Sequence, residues 1–169
     1  FAYLKSRCKQ FEMTLNALAK SDADSLVFCP DASDEITQLY NFPSLKISTK
    51  PFDMSKVLQC ADLVVCHGGG VISQSVLAGC PLLVVPMQLE QRHNGIGVEQ
   101  KGVGLQAKNN DTTSDLVLKI NSLLSNSSYK NRAMELAEKY RYLFEHDPVS
   151  VICDRCDEVL QQCTVMEKV

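Results

Sequence analysis

The strongest constraint on this chain is that its apolar residues fall in short solid runs separated by stretches of helical period. Leu26-Val27-Phe28-Cys29, Leu63-Val64-Val65-Cys66 and Leu82-Leu83-Val84-Val85 are apolar at every position. A strand with no polar face has to be covered on both sides, as parallel strands are when helices lie on each face of a sheet. Phe1-Ala2-Tyr3-Leu4, Leu45-Lys46-Ile47 and the stretch from Val103 to Gln106 supply further strands. Between them, Cys8, Phe11, Leu15 and Leu18 mark a helix over roughly 7–20, and Ile36 with Leu39 mark a short one. Met54 to Cys60, a segment ending at Gly79 and another over roughly 91–101 follow, and three helices close the chain at about 112–125, 128–143 and 148–164. Regular alternation of this kind predicts one α/β domain, a Rossmann-like parallel sheet with helices on both faces. The chain opens on Phe1, inside a strand pattern, so it reads as a piece of a longer protein with an upstream domain.

Charge and apolar content narrow the function. Lys plus Arg is 17 against 20 Asp plus Glu, a formal net charge of −3. There is no basic excess to neutralise a phosphate backbone, so nucleic acid is not an expected partner. The longest apolar runs, such as Leu82 to Pro86, are strand-sized, and no transmembrane segment is expected. Eight cysteines are too many to pass over. A domain of this size needs no disulfide staples and no secretory segment is visible, so they read as reduced thiols of a cytoplasmic protein, mostly small core hydrophobes. Cys153-x-x-Cys156, with Cys163 and His146 nearby, has the composition of a zinc site. It lies in a helix, however, on a stripe with Val149, Ile152, Val159 and Leu160, so core packing is the expectation and no metal is called for.

The chemistry concentrates between Asp62 and Gly104. His67-Gly68-Gly69-Gly70 follows a buried strand directly and precedes a helix directly. Glycines there let the backbone approach a ligand, and the helix start offers unpaired N–H groups and the positive end of a dipole, which suits a diphosphate. Ser73 adds a hydroxyl in the first turn. The same glycines also serve a plain tight turn. Pro86 ends the next strand, and Glu90-Gln91-x-x-Asn94 opens the following helix at the carboxyl end of an adjacent strand, facing the same crevice. A carboxylate beside an amide suits sugar hydroxyls, and equally suits capping the helix.

The order His67-Gly68-Gly69, Gly79-x-Pro81, Pro86, Glu90-Gln91-x-x-Asn94, Gly102-x-Gly104 resembles the carboxy-terminal, donor-binding half of GT-B glycosyltransferases. Within them it is similar to the nucleotide-sugar family of UDP-glucuronosyltransferases and bacterial antibiotic glycosyltransferases, over almost the whole chain. The resemblance implies donor-diphosphate binding by His67, Gly68, Gly69, Gly70 and Ser73, and by Ser6 in the turn after the first strand. It implies sugar binding by Glu90, Gln91 and Asn94, and a base cradle at Thr49-Lys50-Pro51-Phe52. The stretch from His67 to Pro81 is one residue shorter than the family's, which moves the family's hydroxyl and glutamate towards Val71 and Gln74.

By the same resemblance the donor is a UDP- or TDP-linked sugar, with no cofactor and no metal. The acceptor pocket and the general base sit on an amino-terminal domain or partner subunit, so no catalytic residue is expected on this chain. A lipid-directed N-acetylglucosaminyl transferase, a 2-epimerase of the same architecture, and a non-catalytic nucleotide-binding subunit are the alternatives. A Rossmann dehydrogenase is not expected, because Lys5-Ser6-Arg7 stands where G-x-G-x-x-G would follow the first strand.

Overall fold

The computed structural model describes residues 9–21, 23–142 and 147–166. The strand expected at Phe1–Leu4, Ser6, His146 and the side chain of Cys163 lie outside the described residues. The elements run α1 (Lys9–Lys20), β1 (Ser25–Phe28), α2 (Asp34–Leu39), β2 (Leu45–Ser48), α3 (Met54–Cys60), β3 (Val64–Cys66), α4 (Val71–Leu77), β4 (Leu82–Val84), α5 (Leu89–Gln100) and β5 (Gly104–Gln106). Helices α6 (Thr113–Ser125), α7 (Ser127–Lys139) and α8 (Pro148–Met166) complete them. All strand pairings in the sheets are parallel: β1 with β2, and β3 with β4 with β5.

The solid apolar run of β4 is explained by its burial on both faces, whereas Leu26 in the run of β1 is 57% exposed. Leu82 and Val84 point into a cluster with Cys66, Val98, Val103 and Ala133, roofed by α4, α5 and α7. Leu83 and Val85 point the other way, into Ala17, Leu116, Ile120 and Leu123 of α1 and α6. Leu82, Leu83 and Val84 are each 0% exposed, so the strand is buried on both faces. Burying a side chain of this size is worth about 1.5–3 kcal/mol, which makes β4 the best-anchored strand of the sheet. A third cluster, built on Phe11, Leu15, Val27 and Leu45, holds α1 over β1 and β2. The expected α/β architecture with helices on both faces is thus present.

Local signals place the helix starts. Ser33, Asp53 and Asn126 cap α2, α3 and α7 with side-chain oxygens. Thr112 and Asp115 form a reciprocal capping box at the start of α6. Close approach fixes Gly104, where a Cβ would come within 2.1 Å of the Leu82 carbonyl oxygen across the β4–β5 pair.

One expectation is overturned. Cys153 and Cys156 are exposed, not buried. Their stripe-mates Val149 and Ile152 are 65% and 63% exposed. The helix forms over the expected residues and carries the expected apolar stripe, but Val149, Ile152, Cys153 and Cys156 on it stay exposed. Periodicity states which face of a helix can be buried; whether anything covers it is a tertiary matter.

Candidate functional site

Parallel strands present their carboxyl ends to one edge of a sheet, and the segments leaving β3, β4 and β5 meet there. Beyond β4 the ladder continues, with Val85 N–H donating to the Cys66 carbonyl at 2.7 Å and Ala107 N–H to the Val84 carbonyl at 2.7 Å. The chain then leaves β3 as the turn His67–Gly70 and enters α4. Gly70 occupies the cap position of α4 and no side chain caps that end.

Gly68 makes the turn possible. Its φ is +101°, and an added Cβ would stand 2.9 Å from the Gln91 carbonyl oxygen and 3.0 Å from a Val84 methyl. The absence of a side chain is therefore what lets the first turn of α5 rest against the turn after β3. Asn94 completes the joint, its Nδ2 donating to the Gly68 carbonyl at 2.9 Å. Gly69 faces His67: a Cβ there would lie 3.1 Å from the imidazole Nε2. At Gly70 a Cβ would meet nothing within 4 Å. Three successive glycines thus have three different surroundings.

His67 is half-buried, and burial pushes its imidazole below the ordinary value of 6.5. Burial thus favours the neutral imidazole, which can donate one N–H and accept at its other nitrogen. Behind it, burial raises the Cys66 thiol, and Cys29 and Cys80 are pushed up to about 11, so all three are inert protonated thiols.

At the start of α5, Glu90 and Gln91, two of the three expected sugar ligands, part company. Glu90 is exposed, in the first turn. Gln91 is half-buried, and its Oε1 accepts from Met87 N–H at 2.9 Å and Gln88 N–H at 3.2 Å. Those bonds are one arm of a capping box with Gln88, so the carbonyl of Gln91 is already engaged and only its amide nitrogen is available for a ligand. A groove of about 660 Å³ is lined by Gly69, Gly70 and Ser73 on one side and Glu90, Asn94 and Gly97 of α5 on the other.

The segment Thr49–Phe52 follows β2, which pairs with β1 in a two-stranded sheet of its own. Thr49, Lys50 and Pro51 are exposed and Phe52 is half-buried. Its hydrogen bonds are local: Ser48 Oγ donates to the Lys50 carbonyl at 2.8 Å and accepts from Lys50 N–H at 3.1 Å. The fold therefore joins the glycine turn to the head of α5, while the 49–52 loop stands apart from that joint. Among the described residues, no group of three or more His, Cys, Asp or Glu is arranged to hold a metal.

One residue escaped the sequence reading. Gln106, the last residue of β5, is buried and its carboxamide donates to the Arg92 carbonyl at 2.7 Å. The available signal was a glycine, Gly95, inside a helix, where it costs about 1 kcal/mol relative to alanine unless something needs the space.

A parallel α/β domain with a glycine turn locked to a neighbouring helix start at the carboxyl edge has the architecture of one half of a GT-B fold. Residues 8–146 match the family model of the glycosyltransferase family 28 C-terminal domain, and the chain belongs to that family. It is 26% identical over 131 residues to UDP-glycosyltransferase 2 of Phaeomoniella chlamydospora, covering 76% of this chain and 28% of that protein. Among solved structures it resembles the glycotransferase of kitacinnamycin (TM-score 0.71, 22% identity, 84% of this chain and 37% of that one). It also resembles the glycosyltransferase VinC in complex with DTDP (TM-score 0.68, 22% identity, 79% of this chain and 34% of that one). The chain thus spans about a third of the length of these relatives, and the fold is that of their carboxy-terminal domain.

Proposed function

We propose that this chain binds a nucleotide-diphosphate sugar, UDP- or TDP-linked, and forms the donor half of an enzyme that transfers the sugar to an acceptor hydroxyl. The observation that carries the reading is the joint between Asn94 and Gly68, which holds a polar helix start beside an uncapped helix start at one edge of the sheet. The names of the relatives point to the same donor class.

In this reading the amides of Gly69, Gly70 and Val71 and the imidazole of His67 receive the diphosphate, with Ser73 and Ser6 as further donors. Glu90, Asn94 and the amide nitrogen of Gln91 receive sugar hydroxyls. Thr49-Lys50-Pro51-Phe52 lies along the base. The acceptor oxygen bonds to the anomeric carbon as the bond to the diphosphate breaks, and its proton passes to a base outside this chain. The domain contributes orientation and stabilisation of the negative charge that builds on the leaving diphosphate, work that calls for no metal or cofactor. The acceptor pocket belongs to an amino-terminal domain or partner subunit. The free cysteines Cys29, Cys60, Cys66, Cys80, Cys153 and Cys156 fit a reducing, cytoplasmic setting.

A thermal-shift series with UDP, TDP, their sugars and NAD tests this. A ligand that binds only the folded state stabilises it by about 2.7 kcal/mol at a hundredfold excess over Kd. A shift with UDP or TDP and none with NAD supports the reading; the reverse pattern refutes it.

A further inference from the structure

Helix α5 carries Glu90, Gln91 and Asn94, yet it contains two glycines, Gly95 and Gly97, and presents only Gly95 and Val98 as buried residues. Neither helix propensity nor an apolar face explains how it is held at a defined depth and rotation. What the structure offers instead is a clamp from the end of β5. The Gln106 carboxamide lies in the notch above Gly95, where an added Cβ would come within 2.3 Å of its Nε2, and donates there to the Arg92 carbonyl at 2.7 Å. In return, the backbone N–H of Gln106 donates to Glu99 Oε1 at 2.9 Å. Just beyond β5, Asn109 Oδ1 accepts from the Arg92 guanidinium at 2.5 Å. Arg92 is thus gripped through both its main chain and its side chain, one residue after Gln91 and two before Asn94.

We infer that Gln106 is a positioning residue for donor recognition: with Gly95 it sets the depth and rotation of the first turns of α5, and through them the reach of Glu90 and Asn94 toward the sugar. This rests on the donor-binding reading above. A buried carboxamide whose bond is removed leaves the Arg92 carbonyl short of one partner, and the helix can rotate or lift to recover it from water.

Two substitutions break the clamp from opposite sides. Gln106→Leu keeps the bulk and removes the donor. Gly95→Ala leaves Gln106 intact but evicts its carboxamide; on helix propensity alone it should tighten α5, so an effect in the loosening direction separates the two accounts. Amide hydrogen exchange on the full chain, with no ligand, reads the placement of α5. Each variant is expected to lose protection about tenfold or more at residues 93–98 relative to α6, and the double variant no more than either single. A uniform loss across α5 and α6, or increased protection in Gly95→Ala, overturns the clamp. Calorimetry with UDP and UDP-glucose as probes reads its consequence. UDP affinity should stay within about twofold while the ratio of UDP-glucose to UDP affinity falls about tenfold; an unchanged ratio beside a local exchange defect overturns the role in donor recognition. If wild type binds neither nucleotide, the donor-site reading falls, and exchange alone decides whether Gln106 positions α5.

Discussion

The three glycines after β3 allow the strictest test of the site's architecture, because alanine at each should do something different. At Gly68, alanine must adopt a φ of +101° and place its methyl 2.9 Å from the Gln91 carbonyl oxygen, a backbone atom that can move only if α5 moves. The left-handed conformation costs about 1–3 kcal/mol, and overpacking against fixed backbone costs about 1–3 kcal/mol more. Taking about 4 kcal/mol together, and about 2–4 °C per kcal/mol for a domain of this size, Gly68→Ala should lower Tm by roughly 10 °C. Gly70→Ala, with open space around its Cβ and a φ of −56°, should stay within about 0.5 kcal/mol of wild type. Gly69→Ala sits between them: its methyl would press on the His67 imidazole at 3.1 Å, so stability should change little while UDP affinity falls. Thermal unfolding of the three variants, followed by calorimetry with UDP, reads both quantities. Equal Tm losses at 68 and 70 would refute the claim that Gly68 is the contact point between the turn and α5.

His67→Ala should weaken UDP far more than uridine, since a hydrogen bond to a charged group is worth roughly 1.5–3 kcal/mol, and equal losses in calorimetry would assign His67 a purely structural role. Burial holds the folded-state pKa of His67 below its ordinary 6.5, so its contribution to stability is present above that value and is lost as pH falls toward the folded-state pKa. A bound diphosphate favours the imidazolium, so UDP binding should take up protons and tighten as pH drops through the same range; calorimetry in two buffers of different ionisation enthalpy measures the uptake. Glu90→Ala should leave UDP affinity unchanged and weaken the nucleotide sugar about tenfold, whereas Gln91→Ala should also lower stability by about 0.5–2 kcal/mol because the capping box goes with it, both visible by pairing melts with titrations. Cys153→Ser and Cys156→Ser, being exposed, should shift stability by less than about 0.5 kcal/mol in denaturant unfolding.

Much of the fold was legible because the sheet has both faces covered: a run such as Leu82-Leu83-Val84-Val85 has no other stable use, and the helices between such runs follow from its neighbours' spacing. The order of site elements was legible for the same reason, since strand ends locate the edge where ligands bind. What stayed hidden was pairing across the fold. Gln91 reads alike as a sugar ligand and as a cap, and only the geometry shows its oxygen spent on Met87 and Gln88. Gln106 and Gly95 make sense only together, and nothing along the chain links a strand-end glutamine to a helix-interior glycine. Helix α8 went wrong in the complementary way: its stripe is real, but amphipathicity is a property of one segment and burial is a property of two.

The pairing of β3 with β4 and of β4 with β5 joins residues only about twenty apart in sequence, through one short helix each. Loop closure for the stretch 64–106 is therefore cheap. That stretch contains the glycine turn, the head of α5 and the Gln106 clamp. The glycine turn and the head of α5 are thus built from contacts close in sequence, whereas the Thr49–Phe52 segment and the faces of α1 and α6 that bury Leu83 and Val85 come from further away along the chain.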